Sequence, residues 1–395
     1  MNVLTDVLFM VLVLVPGIPM LVFSLECIAA TVLSSFRQTV LETIQRPRIA
    51  ILIPAHNEAS GIGATLTDVM PQIQTGDRLV VIADNCDDET AVVARSQGAT
   101  VLERFNSEQR GKGYALAYGL DYLEQDPPDV VVVVDADCAV AAGVIDQTAT
   151  LAHQKGRPVQ SKYLMEQPAE PTPKDAISAL AFLVKNWVRP AGLGVIGMPC
   201  PLTGTGMAFP WSVIHHAPIA SGNIVEDMQL GLDLAIDGTP PIFCERADVL
   251  GRLPDKDSAA TSQRTRWEHG HMQTLLSQGP RLFKEAISQR RFDLLVMALD
   301  LCVPPLSLLV ALWLGSMVVL GVLAWLTGQW LPGIVLGLIG LLMGTAILIS
   351  WYRFGRHQIP GKALLTAPLY ILWKIPLYIA FVVKPESQWV RTQRD

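Results

Sequence analysis

The chain has 395 residues, of which 50% are hydrophobic and only 17% are charged. Soluble domains carry about 25% charged residues, so this composition excludes an ordinary soluble protein. The net charge of −6, without a basic stripe carrying interleaved aromatic side chains, argues against a nucleic-acid partner. The six cysteines include no Cys-x-x-Cys pair, which predicts reduced, mostly buried thiols without a disulfide framework or a zinc site.

Apolar segments lie at both ends of the chain. Residues 7–33 are long enough to cross a bilayer, which takes roughly 20 residues, and they lack a basic start and a cleavage site. They therefore predict a retained anchor. Residues 294–326, divided at Pro304-Pro305, and residues 331–351 predict two further spans. Residues 362–383 contain Lys374 and two prolines, and we expect an in-plane or re-entrant segment there.

Basic residues predict the orientation in the membrane. None precedes residue 7, whereas Arg37, Arg46 and Arg48 closely follow the first span. By the positive-inside rule, the large middle region is then cytoplasmic, and membrane lipids surround the spans of a multi-pass inner-membrane protein. The predicted parts are an anchor at 1–36, a cytoplasmic domain at 37–291, membrane or interfacial helices at 292–383 and a cytoplasmic tail at 384–395.

Strand and helix signals alternate in the first half of the middle region. Strands are predicted at residues 48–54, 79–83, 100–104 and 130–134, with helices between them at 62–72, 89–97 and 113–124. This order predicts an α/β, Rossmann-like domain with a mainly parallel sheet. A dinucleotide site is disfavoured because the turn after the first strand reads Pro54-Ala55-His56-Asn57-Glu58-Ala59-Ser60-Gly61, without the Gly-x-Gly-x-x-Gly pattern.

Three of these strands end in polar residues, at His56-Asn57-Glu58, at Asp84-Asn85 and at Asp135-Ala136-Asp137. In open α/β sheets, ligands bind beyond the carboxyl ends of the strands. The last of the three follows five consecutive valines, which indicate a strand buried on both faces. Because alternate residues of an extended chain point the same way, Asp135 and Asp137 can converge on one divalent cation and its diphosphate. The alternative is a polar strand end that forms a cap or turn.

Four motifs follow the first helices. Gly111-Lys112-Gly113 places a lysine near the expected phosphates, or in a solvated turn. Thr203-Gly204-Thr205-Gly206 allows close backbone approach to a ligand, or forms a plain turn. Glu226-Asp227 begins an apolar helical stretch, where acidic residues also suit a helix amino terminus. Gln263-Arg264-Thr265-Arg266-Trp267 precedes the membrane region, where an Arg/Trp cluster also suits a bilayer surface.

In this order, the set from Asp84 to Trp267 resembles the inverting family 2 glycosyltransferases with a GT-A fold, in the membrane-integrated branch that includes cellulose and hyaluronan synthases. The resemblance covers about residues 48–271. It implies a nucleotide-sugar donor, UDP- or GDP-linked, and Mg²⁺ or Mn²⁺ as cofactor. It also implies a lipid-linked or growing glycan acceptor.

The resemblance implies roles for individual residues. Asp137 would bind the metal, Asp135 would lie near the sugar and ribose, and Asp227 would be the catalytic base. It implies that the donor is bound by Pro54, His56, Glu58, Asp84, Arg264 and Arg266, with Lys112 near the phosphates. On the acceptor side stand Gly204, Thr205, Gly206 and Trp267.

The chain departs from the large synthases in two ways. Val225 precedes Glu226-Asp227 where cellulose synthases typically carry threonine, and three or four membrane segments are fewer than those processive enzymes use. We therefore expect single transfer to a lipid-linked sugar, although the Gln-x-x-Arg-Trp element favours polymerisation. A polyprenyl-phosphate sugar transferase is an alternative that should lack this element. An inactive membrane scaffold is another, and it should lack Asp137, Asp227 or Arg266.

Overall fold

The computed structural model describes residues 3–33, 45–168, 170–221, 225–252 and 257–383. The predicted tail at 384–395, the predicted domain start at residue 37 and Arg37 lie outside these residues. The chain forms two compact units. Within the described residues, the first, here called the sheet unit, comprises 45–166 and 199–270, and the second, the helical unit, comprises 3–33, 167–198 and 271–383. Residues 167–198 and 271–291, which lie inside the predicted domain 37–291, thus group with the helical unit.

The described residues contain eight strands and fourteen α-helices. The strands are β1 (Ile49–Ala55), β2 (Arg78–Asp84), β3 (Thr100–Arg104), β4 (Val130–Val133), β5 (Cys138–Val140), β6 (Val159–Met165), β7 (Met207–Pro210) and β8 (Ile242–Gly251). The helices are α1 (Val3–Leu33), α2 (Ile62–Val69), α3 (Thr90–Ser96), α4 (Lys112–Leu123), α5 (Val144–Lys155), α6 (Pro173–Leu183), α7 (Arg189–Val195), α8 (Trp211–Ile214), α9 (Glu226–Ile236), α10 (Asp257–Ser288), α11 (Phe292–Leu301), α12 (Leu306–Thr327), α13 (Leu331–Ser350) and α14 (Ala367–Val383).

The sheet unit is built on one eight-stranded sheet with the order β3-β2-β1-β4-β7-β6-β8-β5. The first four strands in this order are parallel, as the alternation of strand and helix predicts. All four residues of β4 are buried, which explains why this strand consists of valines alone. Since β2, β1 and β4 are parallel neighbours, their carboxyl ends open on one edge of the sheet.

Beyond β4 the sheet becomes mixed. Strand β7 pairs antiparallel with β4, and β6 pairs antiparallel with β7. Strand β8 runs parallel to β6, and β5 pairs antiparallel with β8. The prediction of a mainly parallel, Rossmann-like sheet is confirmed for the first half, and the second half adds an antiparallel insertion. The pairing of β7 with β4 joins residues that are distant in sequence, such as Val131 and Phe209, and places β7 alongside the whole valine strand.

The helical unit contains the apolar helices. Among the residues that the structure describes, four helical segments are long and apolar enough to cross a membrane: Thr5–Leu33, Leu306–Thr327, Leu331–Gly355 and Gly361–Val383. The predicted break at Pro304-Pro305 is confirmed, because α11 ends at Leu301 and α12 begins at Leu306.

The sequence predicts an in-plane or re-entrant segment at residues 362–383, whereas the helical segment there is long and apolar enough to cross a membrane. Lys374, which favoured that interpretation, is only 1% exposed and lies 5.6 Å from the centroid of the Tyr370 ring. Pro368 lies in the first turn of α14, where a proline costs no helical hydrogen bond. The charge is therefore enclosed by protein, and the segment remains a fourth candidate span.

A buried ion-pair triad accounts for the acidic residue inside the predicted anchor. The Arg189 guanidinium donates to Glu26 Oε2 and to Asp300 Oδ1, each at 2.6 Å. Its Nη2 also donates to the Asp300 carbonyl at 3.0 Å. All three residues are at most 7% exposed. Because removing one partner would leave a buried charge uncompensated, the triad fixes α1, α7 and α11 against one another.

Candidate active site

Asp135 and Asp137 follow β4 directly at the carboxyl edge of the sheet. Ligand atoms of Asp135, Asp137 and Cys138 all lie within 4.8 Å of one another. Burial raises the pKa of the Cys138 thiol well above its usual value, so the thiol keeps its proton. The two carboxylates are therefore the available ligands, and oxygen donors are what Mg²⁺ and Mn²⁺ prefer. The pair fits a divalent cation.

Lys112 is the first residue of α4 and reaches this carboxylate pair. Its Nζ contacts Asp135 Oδ1 and donates to the Gly204 carbonyl at 2.7 Å. Gly111 precedes it with φ at 127°, a conformation that favours glycine. Burial disfavours the ammonium charge, but the carboxylates of Asp135 and Glu226 outweigh it and hold the pKa of Lys112 above its usual value. Lys112 is thus a charged, partly buried member of the cluster and not a solvated turn residue.

The Gly204-Thr205-Gly206 turn packs against the carboxylate cluster. Thr205 is fully buried, and its hydroxyl accepts a hydrogen bond from the Asp135 backbone N–H at 3.0 Å. A Cβ on Gly206 would lie 1.8 Å from Ser161 Oγ, so only glycine fits against β6. Thr205 and Gly206 therefore orient Asp135 and pack the turn onto the sheet. The acceptor-side role that the family resemblance implies for Gly204, Thr205 and Gly206 stays a prediction.

Asp227 and Glu226 begin α9 beside the same turn. A Cβ on Gly204 would lie 3.2 Å from Asp227 Oδ2 and 3.6 Å from Lys112 Nζ, which places the Asp227 carboxylate beside the Lys112 ammonium. Burial, and after it the charge of Asp227, raises the pKa of Glu226 to about 8. Glu226 therefore keeps its proton near neutral pH, and Asp227 can carry the charge of the pair.

A cleft of about 120 Å³ lies at the ends of β1 and β2. It is lined by Pro54, Ala55, His56, Asp84, Asn85, Arg110, Gly111, Lys112 and Ala115. His56 Nδ1 lies 2.7 Å from the Asp84 carbonyl, and Arg104 Nη1 donates to Asp84 Oδ1 at 2.6 Å. The structure thus brings four of the predicted donor-side residues to one cleft, since Pro54, His56, Asp84 and Lys112 all line it.

Glu58 lies next to this cleft but does not line it. Its backbone N–H donates to Thr90 Oγ1 at 2.8 Å, and its carbonyl accepts from the backbone of Gly61 and Ile62. Its position fixes the loop after β1.

Two residues of the cleft region were missed from the sequence. Arg110 lines the cleft beside Asn85, which the polar strand end had indicated, and Arg104 pairs with Asp84. Arg104 is the register partner of Asp84 across β2 and β3, a pairing that needs the strand alignment. Arg110 immediately precedes Gly111, and its place before that turn was the available signal.

Arg264, Arg266 and Trp267 lie on the first turns of α10. A Cβ on Gly270 of the same helix would lie 2.7 Å from Val225 Cγ1, so α10 packs directly against the start of α9. Arg266 and Trp267 lie within about 60° of Gly270 around the helix, on the side that faces Val225. Arg264 is roughly 120° away around the helix, and it is 9% exposed. The structure therefore brings Arg266 and Trp267 towards α9 and places Arg264 on another face.

The model of a family described as "Glycosyltransferase like family 2" matches residues 47–270, which is more than half of the chain. The chain belongs to this family. The matched range contains every candidate site residue described above.

Relatives of this glycosyltransferase are similar over parts of the chain. A dolichyl-phosphate hexose transferase of Haloferax volcanii is 37% identical over 90 residues, 23% of this chain and 36% of the relative. A 4,4'-diaponeurosporenoate glycosyltransferase of Staphylococcus aureus is 36% identical over 92 residues, 22% of this chain and 24% of the relative. The probable glycosyltransferase YdaM of Bacillus subtilis is 24% identical over 257 residues, 63% of this chain and 61% of the relative. Each match thus spans less than two thirds of the relative's length.

A solved structure supports the fold of the glycosyltransferase. The mannosyltransferase PcManGT from Pyrobaculum calidifontis, in complex with GDP-Man and Mn²⁺, superposes with a TM-score of 0.52 at 16% identity. The superposition covers 91% of this chain and 99% of PcManGT. The predicted GT-A fold with flanking apolar helices is confirmed, and the chain carries a glycosyltransferase family 2 domain.

Proposed function

We propose that this enzyme moves a sugar, with inversion, from a UDP- or GDP-sugar to a hydroxyl of a lipid-linked or growing glycan acceptor. The observation that carries the proposal is the convergence of Asp227, Lys112 and Asp135 around Gly204. A proton acceptor thereby stands beside the carboxylate pair that suits a metal-bound diphosphate. This is the arrangement that direct displacement at an anomeric carbon requires.

On the donor side, Asp137 would hold Mg²⁺ or Mn²⁺ together with Asp135. When bound, the cation neutralises the charge of the leaving nucleoside diphosphate. Pro54, His56 and Asp84 form the wall for the base and ribose, and Glu58 fixes the adjoining loop. The Arg266 guanidinium, which can donate to two phosphate oxygens at once, binds the diphosphate. Arg264 contributes to donor binding from another face of α10.

Asp227 removes the proton from the acceptor hydroxyl. The hydroxyl oxygen attacks the anomeric carbon opposite the bond to the diphosphate, so an α-linked donor gives a β-linked product. Glu226 stays protonated beside Asp227, which keeps the negative charge on the one carboxylate that acts as base. Trp267 stacks on the acceptor sugar from the face of α10 that packs on α9.

The acceptor is held at the cytoplasmic face of the inner membrane. Four helical segments suit a membrane, and the Haloferax volcanii relative is named as a dolichyl-phosphate hexose transferase. Both support a lipid-linked acceptor and single transfer. Within the family, the Gln-x-x-Arg-Trp element on α10 supports kinship with the cellulose and hyaluronan synthase branch, whose products are polymers.

The test is a panel of UDP- and GDP-sugars offered to the purified membrane enzyme with membrane lipid extract as acceptor. We expect release of nucleoside diphosphate from one donor, loss of release with chelator, and loss in Asp137→Ala. A product carrying one added sugar supports single transfer, and a ladder of products supports polymerisation. Donor binding that is equally tight after chelation and in Asp137→Ala would contradict the metal assignment.

A further inference from the structure

Lys112 lies among four carboxyl groups of the sheet unit. Its Nζ contacts Asp135 directly, and Asp227 and Glu226 lie close by on the first turn of α9. Asp137 completes the group through its proximity to Asp135. The ammonium is therefore an internal counter-ion at the place where a divalent cation would bind.

The same residue also belongs to the cleft. Gly111 and Lys112 line the cleft at the ends of β1 and β2, while Lys112 Nζ extends to Asp135 at the end of β4. Its second hydrogen bond, to the Gly204 carbonyl, also holds it in this position. One side chain thus joins the region proposed for the nucleotide to the carboxylate pair proposed for the metal.

We propose that Lys112 couples the binding of metal and nucleotide, by pairing with Asp135 until the phosphates of a nucleoside diphosphate replace Asp135 as its partner. This inference rests on the proposed function, since it concerns the regulation of the same site. Free Mn²⁺ binds weakly because Asp135 is engaged and a positive charge lies within a few ångströms. Once a diphosphate pairs with Lys112, both carboxylates are released for the cation. Because coupling between two ligands is reciprocal, Mn²⁺ then also raises the affinity for the diphosphate.

The test is calorimetric titration of the full chain with Mn²⁺ alone, and then with Mn²⁺ in the presence of saturating UDP or GDP. Removing the ammonium in Lys112→Met should tighten the binding of Mn²⁺ alone by at least about tenfold. The same variant should lose most of the gain in Mn²⁺ affinity that the diphosphate confers on the wild type. Lys112→Arg keeps the charge and should behave like the wild type in the titration with Mn²⁺ alone.

Lys155→Met is the matched control. Lys155 ends α5 in the same unit and is exposed, so its removal changes the net charge equally without touching the cluster. It should leave both titrations unchanged. Far-UV circular dichroism of Lys112→Met and of a second variant, Lys112→Gln, identifies a folded protein for the comparison.

Mn²⁺ affinity in folded Lys112→Met or Lys112→Gln that equals or falls below the wild-type value would overturn the inference. Equal coupling of Mn²⁺ to UDP or GDP in wild type and variant would overturn it as well. The proposed function fails by a different result, namely no nucleoside diphosphate release from any donor, while the titrations with Mn²⁺ alone still decide the role of Lys112.

Discussion

Glu226 and Asp227 are adjacent carboxyl groups, and Glu226 keeps its proton near neutral pH. Both begin α9, where the helix amino terminus favours negative charge. Burial and the neighbouring Asp227 nevertheless raise the pKa of Glu226 to about 8. Two adjacent charges on one partly buried turn are costly, so Glu226 retains its proton. The sequence motif identifies both residues, but it does not show which of them keeps its proton, because that depends on their burial.

The raised pKa of Glu226 predicts a pH dependence of stability. The folded state holds this proton up to about pH 8, whereas an unfolded glutamate loses it near its ordinary pKa of 4.5. The stabilising contribution is therefore fully present below pH 4.5 and is lost as pH rises through about 8. Burial raises the pKa of Asp135 as well, which acts in the same direction.

Thermal melting of the metal-free protein measures this effect. Between about pH 6 and pH 9, the melting temperature of the wild type should fall, and it should fall less in Glu226→Gln, which cannot ionise. Parallel decline of both proteins would assign the loss to other groups.

At the scale of elements, α10 packs closely against the start of α9 because Gly270 of α10 has no side chain. A Cβ on Gly270 would meet Val225 Cγ1 at 2.7 Å, whereas one on Gly279 of the same helix would meet its nearest neighbour, Cys302 Sγ, only at 4.0 Å. Alanine is otherwise favoured over glycine in a helix by about 1 kcal/mol. The two positions therefore offer the same substitution with opposite expected effects.

Gly270→Ala should push α10 away from α9, displace Arg266 and Trp267, and lower both the melting temperature and the rate of nucleoside diphosphate release. Gly279→Ala should keep or raise the melting temperature and leave the rate unchanged. Melting curves and initial rates of the two variants decide this. Wild-type activity in Gly270→Ala would show that the contact does not position the α10 residues.

The strands that end at the site could be predicted from sequence, and the second half of the sheet could not. Each predicted strand of the first half agrees with the structure to within one residue at either end, because long buried apolar runs leave few alternatives. Strands β5 and β7 have three and four residues, and their pairing is decided by distant partners. The role of the fully buried Thr205 could not be predicted for the same reason, because its contact with Asp135 joins two segments that are distant in the sequence.

At the scale of the whole molecule, two membrane topologies of the C-terminal region differ in whether residues 361–383 cross the bilayer. Four segments qualify as spans, yet Lys374 lies within the last of them and basic residues follow at 384–395. An even number of spans would place the two ends of the chain on the same side of the membrane. The positive-inside rule favours a cytoplasmic tail, opposite the amino terminus.

Reporter fusions at the C-terminus test the topology. We expect a fused fluorescent protein that folds only in the cytoplasm to be active, and a fused phosphatase that needs the outer side to be inactive. The same pair of reporters at residue 329, between α12 and α13, is the control and should give the opposite result. Phosphatase activity at the C-terminus would establish residues 361–383 as a fourth span.

The central claim is that Asp227 accepts the acceptor proton beside a metal-bound donor. The most direct measurement is the rate of sugar transfer by Asp227→Asn under saturating donor and Mn²⁺, with donor affinity measured by calorimetry on the same preparation. The amide preserves size and removes the base, so we expect transfer to fall by about 10²–10⁴-fold while donor affinity stays within a few-fold of the wild type. Transfer at the wild-type rate by Asp227→Asn would contradict the assignment of the base.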